Sequence, residues 1–173
     1  GLRKKVKPAG VYVKFSELIN AAPVVLKFEA KNKKEALQKL ANAFHAVCKD
    51  VDPKVLCAAL TQRETLGSTG LGNGIAIPHA KSEKIARPRG LLAVCKTGVD
   101  FHALDGECVY VFFLMVYPPD PVGVHLVALA NTAKLLRDEF VVRLIRGAAT
   151  PGQVIKIIAE HESRTKALAA SHA

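Results

Sequence analysis

Arg63-Glu64-Thr65-Leu66-Gly67-Ser68-Thr69-Gly70-Leu71-Gly72-Asn73-Gly74-Ile75-Ala76-Ile77-Pro78-His79-Ala80 is the stretch from which the rest of the chain can be read. It begins at the end of a helix. Asp52 followed by Pro53 has the form of an N-cap with proline at the first helical position, and Val55, Leu56, Ala59 and Leu60 supply a buried stripe that runs out near Glu64. The segment Gly67 to Gly74 is too rich in glycine for helix or central strand, so it is predicted to be a loop. Ile75-Ala76-Ile77 then resumes a β pattern, which Pro78 is expected to close because proline has no N–H for a ladder. A helix, a glycine loop and a short strand thus lead to a histidine placed directly after proline.

Upstream, Phe15 to Ile19 reads as a short helical turn and Val24 to Phe28 as a β-branched first strand. Asn32 with Glu35 three residues later has the form of a capping box, and Leu37, Leu40, Ala41, Phe44 and Val47 follow at helical spacing. Downstream, Leu91 to Thr97 and Cys108 to Val116 read as strands, separated by a turn signal at Asp105-Gly106. Pro118-Pro119-Asp120-Pro121 breaks the chain before a helix carrying His125, Leu126, Leu129, Ala133 and Leu136. Thr150-Pro151 with Gln153 opens a last helix that ends in a polar tail near His172. The irregular alternation predicts an α/β fold, a mixed β-sheet of about five strands sandwiched by helices. No internal repeat is visible.

A length of 173 residues suits one compact domain, and 50% hydrophobic residues give it a core that needs no staples. Residues 1–10 read as a basic tail, with Arg3, Lys4, Lys5 and Lys7 before Pro8, and residues 11–173 as a single domain. A first residue that is Gly rather than Met is expected to mark a trimmed or tagged chain, with an upstream segment missing. Cys48, Cys57, Cys95 and Cys108 form no CxxC pair, so neither a zinc ribbon nor a redox dithiol is suggested and reduced thiols are expected. The longest apolar stretch, Val109 to Val116, is far below the roughly 18 residues of a membrane span, and nothing resembles a signal peptide. A cytoplasmic setting is expected. The net charge of +10 taken alone favours an anionic partner. Outside the tail the basic residues are scattered on helices without aromatic interleaving, so direct nucleic-acid binding is not expected.

The glycine segment must be tested against commoner motifs. A P-loop ends in Gly-Lys-Ser/Thr to reach nucleotide phosphates, and no lysine lies between Arg63 and Lys81. The spacing of Gly70, Gly72 and Gly74 resembles part of a dinucleotide fingerprint, but that motif follows a strand and opens a helix, the reverse of the order here. Ser68 lacks a Gly-x-Ser-x-Gly elbow. What remains is a loop able to bring backbone N–H groups of Gly72 and Gly74, and the hydroxyls of Ser68 and Thr69, to a phosphoryl group. The imidazole of His79, with an ordinary pKa near roughly 6.5, is largely neutral at cytoplasmic pH and can attack phosphorus without a separate base. Arg63, at the end of the preceding helix, is the natural cation for the phosphoryl oxygens.

The same residues carry a specific resemblance. Glu64, six free positions, Leu71-Gly72, two more, then Ile75-Ala76-Ile77-Pro78-His79-Ala80 is similar to the signature of the IIA domains of the phosphoenolpyruvate-dependent sugar phosphotransferase system, in the fructose/mannitol and nitrogen-regulatory class. The resemblance runs from about Phe15 to about Ala159. It implies that His79 accepts phosphate from the phosphohistidine of the small carrier protein HPr, with Arg63 and His125 completing the site, and that no cofactor or metal is needed. It also implies a mixed sheet between helices. His45, His102, His161 and His172 read as ordinary surface or core residues.

Regulation is preferred over sugar transport, because a transport IIA hands its phosphate to a IIB domain, commonly to a cysteine in a phosphate-binding loop. No cysteine here lies beside such a loop. The alternatives are a sugar-transport component, a IIA-like module that binds partners without turning over phosphate, and a nucleic-acid-associated regulator led by the basic tail.

Overall fold

Alternation at period two decides which side of the sheet each strand residue faces. In the computed structural model, which describes residues 15–18, 24–120 and 123–173, strands β5 (Arg89–Val99) and β6 (Val109–Tyr117) form the centre. Phe112, Leu114 and Val116 of β6 join Leu91, Ala93 and Cys95 of β5 in one buried cluster, while Val111, Phe113 and Met115 join Leu92 and Val94 in a second. Both strands are buried on both faces, which is why they read as continuous apolar runs. Gly90 is required by the closeness of β5 and β6: a Cβ there would lie 2.2 Å from Cζ of Phe113.

Helices complete two layers. On one face lie α2 (Lys33–Val47) and α3 (Pro53–Thr65), which bury Leu37, Leu40, Phe44, Leu56 and Leu60. On the other lie α1 (Phe15–Leu18), α4 (Val124–Leu136), α5 (Glu139–Gly147) and α6 (Pro151–Ser171). The expected caps form: Asn32 accepts from the Glu35 N–H at 2.9 Å, Asp52 from Lys54 at 2.8 Å, and Thr150 from Gln153 at 3.2 Å. Each satisfies a backbone donor that the first helical turn leaves over.

Among the described residues the sheet has six strands, one more than the sequence suggests, because the glycine segment is not wholly loop. Gly70–Gly72 forms an edge strand, β2, antiparallel to β3 (Ile75–Ala76), with a register irregularity between Gly70 and Gly72. The chain does not end its pairing at Pro78 either. Ile75 pairs with Val111 and His79 with Met115, so β3 and β4 (His79–Lys81) run along β6 in one parallel register. Pro78 lacks the N–H, but its carbonyl still accepts from the Met115 N–H at 2.9 Å. At the far edge the first strand is shorter than expected, with only Val24–Val25 (β1) pairing in parallel with β5, although the Phe28 N–H still reaches the Val94 carbonyl at 3.1 Å. Helix α5 was not anticipated. Its signal was Asp138, which accepts from the N–H groups of Phe140 and Val141, ahead of an apolar stripe of Val141, Val142 and Ile145. The basic tail, residues 1–10, lies outside the described residues.

Candidate active site

The backbone pattern of the edge strand fixes how His79 is held. Carbonyls of Gly74 and Pro78 face β6, where they accept from Val111 and Met115. Ile77, between them, turns its carbonyl outward, and Nδ1 of His79 lies 2.9 Å from that oxygen. A carbonyl can only accept, so Nδ1 carries the proton. On the other side of the ring, Nε of Arg63 donates to Nε2 of His79 at 3.3 Å. A guanidinium can only donate, so Nε2 holds its lone pair. Two partners of opposite character therefore select one tautomer and leave Nε2 as the nucleophilic atom.

Burial holds the His79 pKa below the ordinary histidine value, and the bond to Ile77, which favours the charged ring, opposes it only in part. The neighbouring Arg63 charge lowers it further, Glu64 pulls it up, and His125 pushes it down. The ring is thus neutral near pH 7, as a nucleophile must be. Arg63 comes from the last turn of α3 and is braced by donating through Nη1 to the Gly67 carbonyl at 2.9 Å, which leaves Nη2 for an incoming anion.

Glu64, a signature position in the sequence, has a structural task. Its side chain is 5% exposed and pairs with Lys33 at 2.6 Å. It also accepts from the Thr69 backbone N–H at 3.1 Å and, through a short contact, from the Thr69 hydroxyl. Both donors of Thr69 are thereby directed to a carboxylate rather than toward His79. Ser68 keeps its hydroxyl hydrogen, since its Oγ accepts from the Gly70 N–H at 3.0 Å.

The far half of the glycine segment is organised around other residues. Gly72, at φ +88°, faces the Asp105 carboxylate, which also accepts from the Asn73 N–H at 2.9 Å. Gly74, at φ +80°, lies against the Tyr110 ring. With Gly74 five residues before His79 on an extended line, the separation is roughly 16 Å at the usual rise per strand residue. The structure brings His79 and Arg63 together at one end of β6, with Ser68 next to the Gly67 whose carbonyl Arg63 holds, and leaves Gly74 at the other end.

His125 stands in the first turn of α4 and stacks flat on Tyr117, with centroids 4.3 Å apart and planes 6° from parallel. Tyr117 also borders His79, at 6.4 Å between ring centroids, so it joins the two histidines. Among the described residues, Nδ1 of His125 is buried without a hydrogen bond, and Asp120 Oδ2 stands 3.8 Å away, beyond hydrogen-bonding reach. The same oxygen of Asp120 accepts from the His125 backbone N–H at 3.3 Å. Sequence reasoning missed Tyr117 and Asp120. Their only signal was position, at the end of an apolar strand and within the proline-rich break.

A neutral, oriented imidazole beside a guanidinium at a half-buried edge has the chemical character that phosphoryl transfer requires. Residues 17–161 match the family model described as Phosphoenolpyruvate-dependent sugar phosphotransferase system, EIIA 2, and the chain belongs to that family of phosphoryl-carrying IIA domains. It is similar to the Nitrogen regulatory protein of Bradyrhizobium diazoefficiens, 33% identical over 144 residues that cover 83% of this chain and 94% of that protein. It is also similar to the PTS system fructose-specific EIIABC component of Bacillus subtilis, 30% identical over 150 residues, which are 87% of this chain and 24% of that longer protein. Among solved structures, Nitrogen Regulatory Protein IIA-Ntr from Neisseria meningitidis superposes with a TM-score of 0.75 at 26% identity, covering 83% of this chain and 97% of that one.

Proposed function

We propose that His79 is the phosphoryl acceptor and that Nε2 is the atom phosphorylated. The single observation that carries this reading is the pair of contacts on the ring, Nδ1–H to the Ile77 carbonyl and Nε2 facing Arg63. In the step, Nε2 forms a bond to phosphorus as the donor's phosphohistidine loses its own N–P bond, and the donor imidazole leaves with its electron pair. No proton need be exchanged. Nδ1 keeps its hydrogen on Ile77, and that carbonyl stabilises the positive charge the ring acquires. Arg63 gives up Nε2 and turns its fork to the new phosphoryl oxygens. Ser68 adds a hydroxyl donor, and His125, held by its stack on Tyr117, approaches from the Tyr117 side. Thr69 acts through the loop, since its donors belong to Glu64.

The donor in this reading is an HPr-type phosphocarrier, and the setting is the cytoplasm. No helix among the described residues is long and apolar enough to cross a membrane. Regulation of a partner protein is favoured over delivery of phosphate to a IIB domain, because the similarity to a nitrogen regulatory protein extends over 94% of that protein's length. A partner would read the change of roughly −2 in charge beside the glycine segment.

The test is labelling from phosphoenolpyruvate through the system's first enzyme and HPr. One acid-labile, alkali-stable phosphoryl group per chain is expected, absent in His79→Ala. Arg63→Ala should slow transfer by about 10²-fold, the loss typical of one preorganised donor, and Arg63→Lys by less, because the charge remains and the fork is lost. Undiminished labelling of the His79 variant would refute the assignment.

A further inference from the structure

At the end of β6 remote from His79, an open cleft of about 530 Å³ lies between α5, the start of β6 and the Asn73-Gly74 turn. Arg137, Arg143 and Arg146 line it, opposed by Glu107 and Glu139. Arg143 and Arg146 share the face of α5 that looks into the cleft, three residues apart. Among the described residues, none of the three guanidinium groups has a carboxylate within ion-pair distance. The phosphoryl chemistry at His79 uses none of them.

Arg146 is instead oriented by an aromatic shelf. Its guanidinium carbon lies 4.0 Å over the Tyr110 ring. That ring is clamped by two glycines in the left-handed region: a Cβ at Gly98 would lie 2.8 Å from its Cε1, and one at Gly74 3.1 Å from its Cδ2. A guanidinium stacked on a fixed ring is held in plane while all five of its N–H donors stay unspent. Such a group is ready to take a pair of oxygens in bidentate fashion, with less ordering left to do on binding.

We propose that this cleft binds a small metabolite bearing at least two oxyanion charges, a phosphate ester or a polycarboxylate, through Arg143 and Arg146. Its volume lies within the range usual for small-molecule sites. Arg143 and Arg146 each offer a separate fork, so a ligand with two oxyanion groups can engage both, while Glu107 and Glu139 oppose anions that do not reach the pair. A ligand here also touches Asn73 and Gly74, on the turn that continues through β3 to His79.

The basic surface as a whole could bind anions without any site, so the experiment must localise binding. The full chain would be titrated with sodium pyrophosphate, and separately with citrate, at about 0.15 M ionic strength while amide ¹H–¹⁵N correlations are followed. Expected are saturable shifts confined to Asn73, Gly74, Tyr110 and α5. Arg146→Gln or Arg143→Gln should raise the midpoint about tenfold, as the loss of a charge-assisted bond implies. Lys54→Gln, which removes the same charge from α3, should change it less than about twofold, because exposed charges this far apart are screened. The spectra report whether each variant is folded. Saturation by pyrophosphate alone assigns a phosphate ligand, and by citrate alone a polycarboxylate. The proposal is overturned if neither probe saturates by about 10 mM, the millimolar edge of specific binding. It is equally overturned if Lys54→Gln weakens binding as much as Arg146→Gln does.

Discussion

Replacing Glu64 by alanine tests whether the loop beside His79 is held by one buried carboxylate. The side chain is 5% exposed, and three groups depend on it: Nζ of Lys33 at 2.6 Å, the Thr69 N–H at 3.1 Å and the Thr69 hydroxyl. Thr69 is itself only 5% exposed, so its N–H would be stranded without water, at a cost of about 1–3 kcal/mol. Its hydroxyl can rotate toward another acceptor and adds less. Lys33 is 20% exposed and lies over the Phe101 ring, 4.7 Å from the centroid; without Glu64 its ammonium is still held by the ring and reached by water, so its loss is about 1 kcal/mol. The total is about 3 kcal/mol, at the lower end of what breaking a buried ion pair costs. Glu64→Gln keeps one acceptor for Thr69 and should lose about half as much. Urea unfolding of wild type, Glu64→Ala, Thr69→Val and the double variant would measure both the loss and the coupling. A Glu64→Ala protein within about 0.5 kcal/mol of wild type, or strictly additive Glu64 and Thr69 effects, would show that the carboxylate does not hold the loop.

The His79 titration gives a prediction with a definite sign. Its folded pKa lies below 6.5, mainly through burial, while the unfolded chain titrates near the ordinary value. Between those two pKa values the unfolded state binds more protons, so stability rises with pH across that window and the effect is complete above about 6.5. An NMR titration of the His79 ring should show the lowered midpoint, and Arg63→Gln, by removing a charge that depresses it, should move the midpoint up. Phosphoryl acceptance should stay flat from pH 8 to about 6.5 and fall only below it; a midpoint above 6.5 in wild type would contradict the geometry. Gly90→Ala should destabilise the protein by about 1–3 kcal/mol or more, because its Cβ would enter the Phe113 ring of a fully packed sheet. An unchanged thermal midpoint for that variant would mean that β5 and β6 lie farther apart than described.

Much of this architecture was legible locally. Asn32, Asp52 and Thr150 announced helix starts because a cap is a contact within three residues, which sequence order reveals. The central strands were visible because burial on both faces leaves continuous apolar runs. His79 stood out because proline and glycine punctuation restricts what the surrounding backbone can be. The edge strand at Gly70–Gly72 was not legible: in isolation glycine disfavours a strand, and only pairing with β3 and the Ile77 N–H bonded to the Thr69 carbonyl at 3.0 Å draws it into the sheet. Helix α5 is not legible either, because its nine residues are too few to show a period clearly.

Sequence alone determined the layered α/β character and singled out His79 and Arg63 as candidates, since each rests on residue type and near-neighbour spacing. Only the tertiary structure decided which nitrogen of His79 is free, because that depends on Ile77 turning outward from β6 and on Arg63 arriving from sixteen residues away. It likewise decided that Thr69 answers to Glu64, that Tyr117 carries His125, and that Arg146 rests on Tyr110. These are contacts between side chains on different elements. Their formation depends on strand register and helix packing, which no local pattern along the chain encodes.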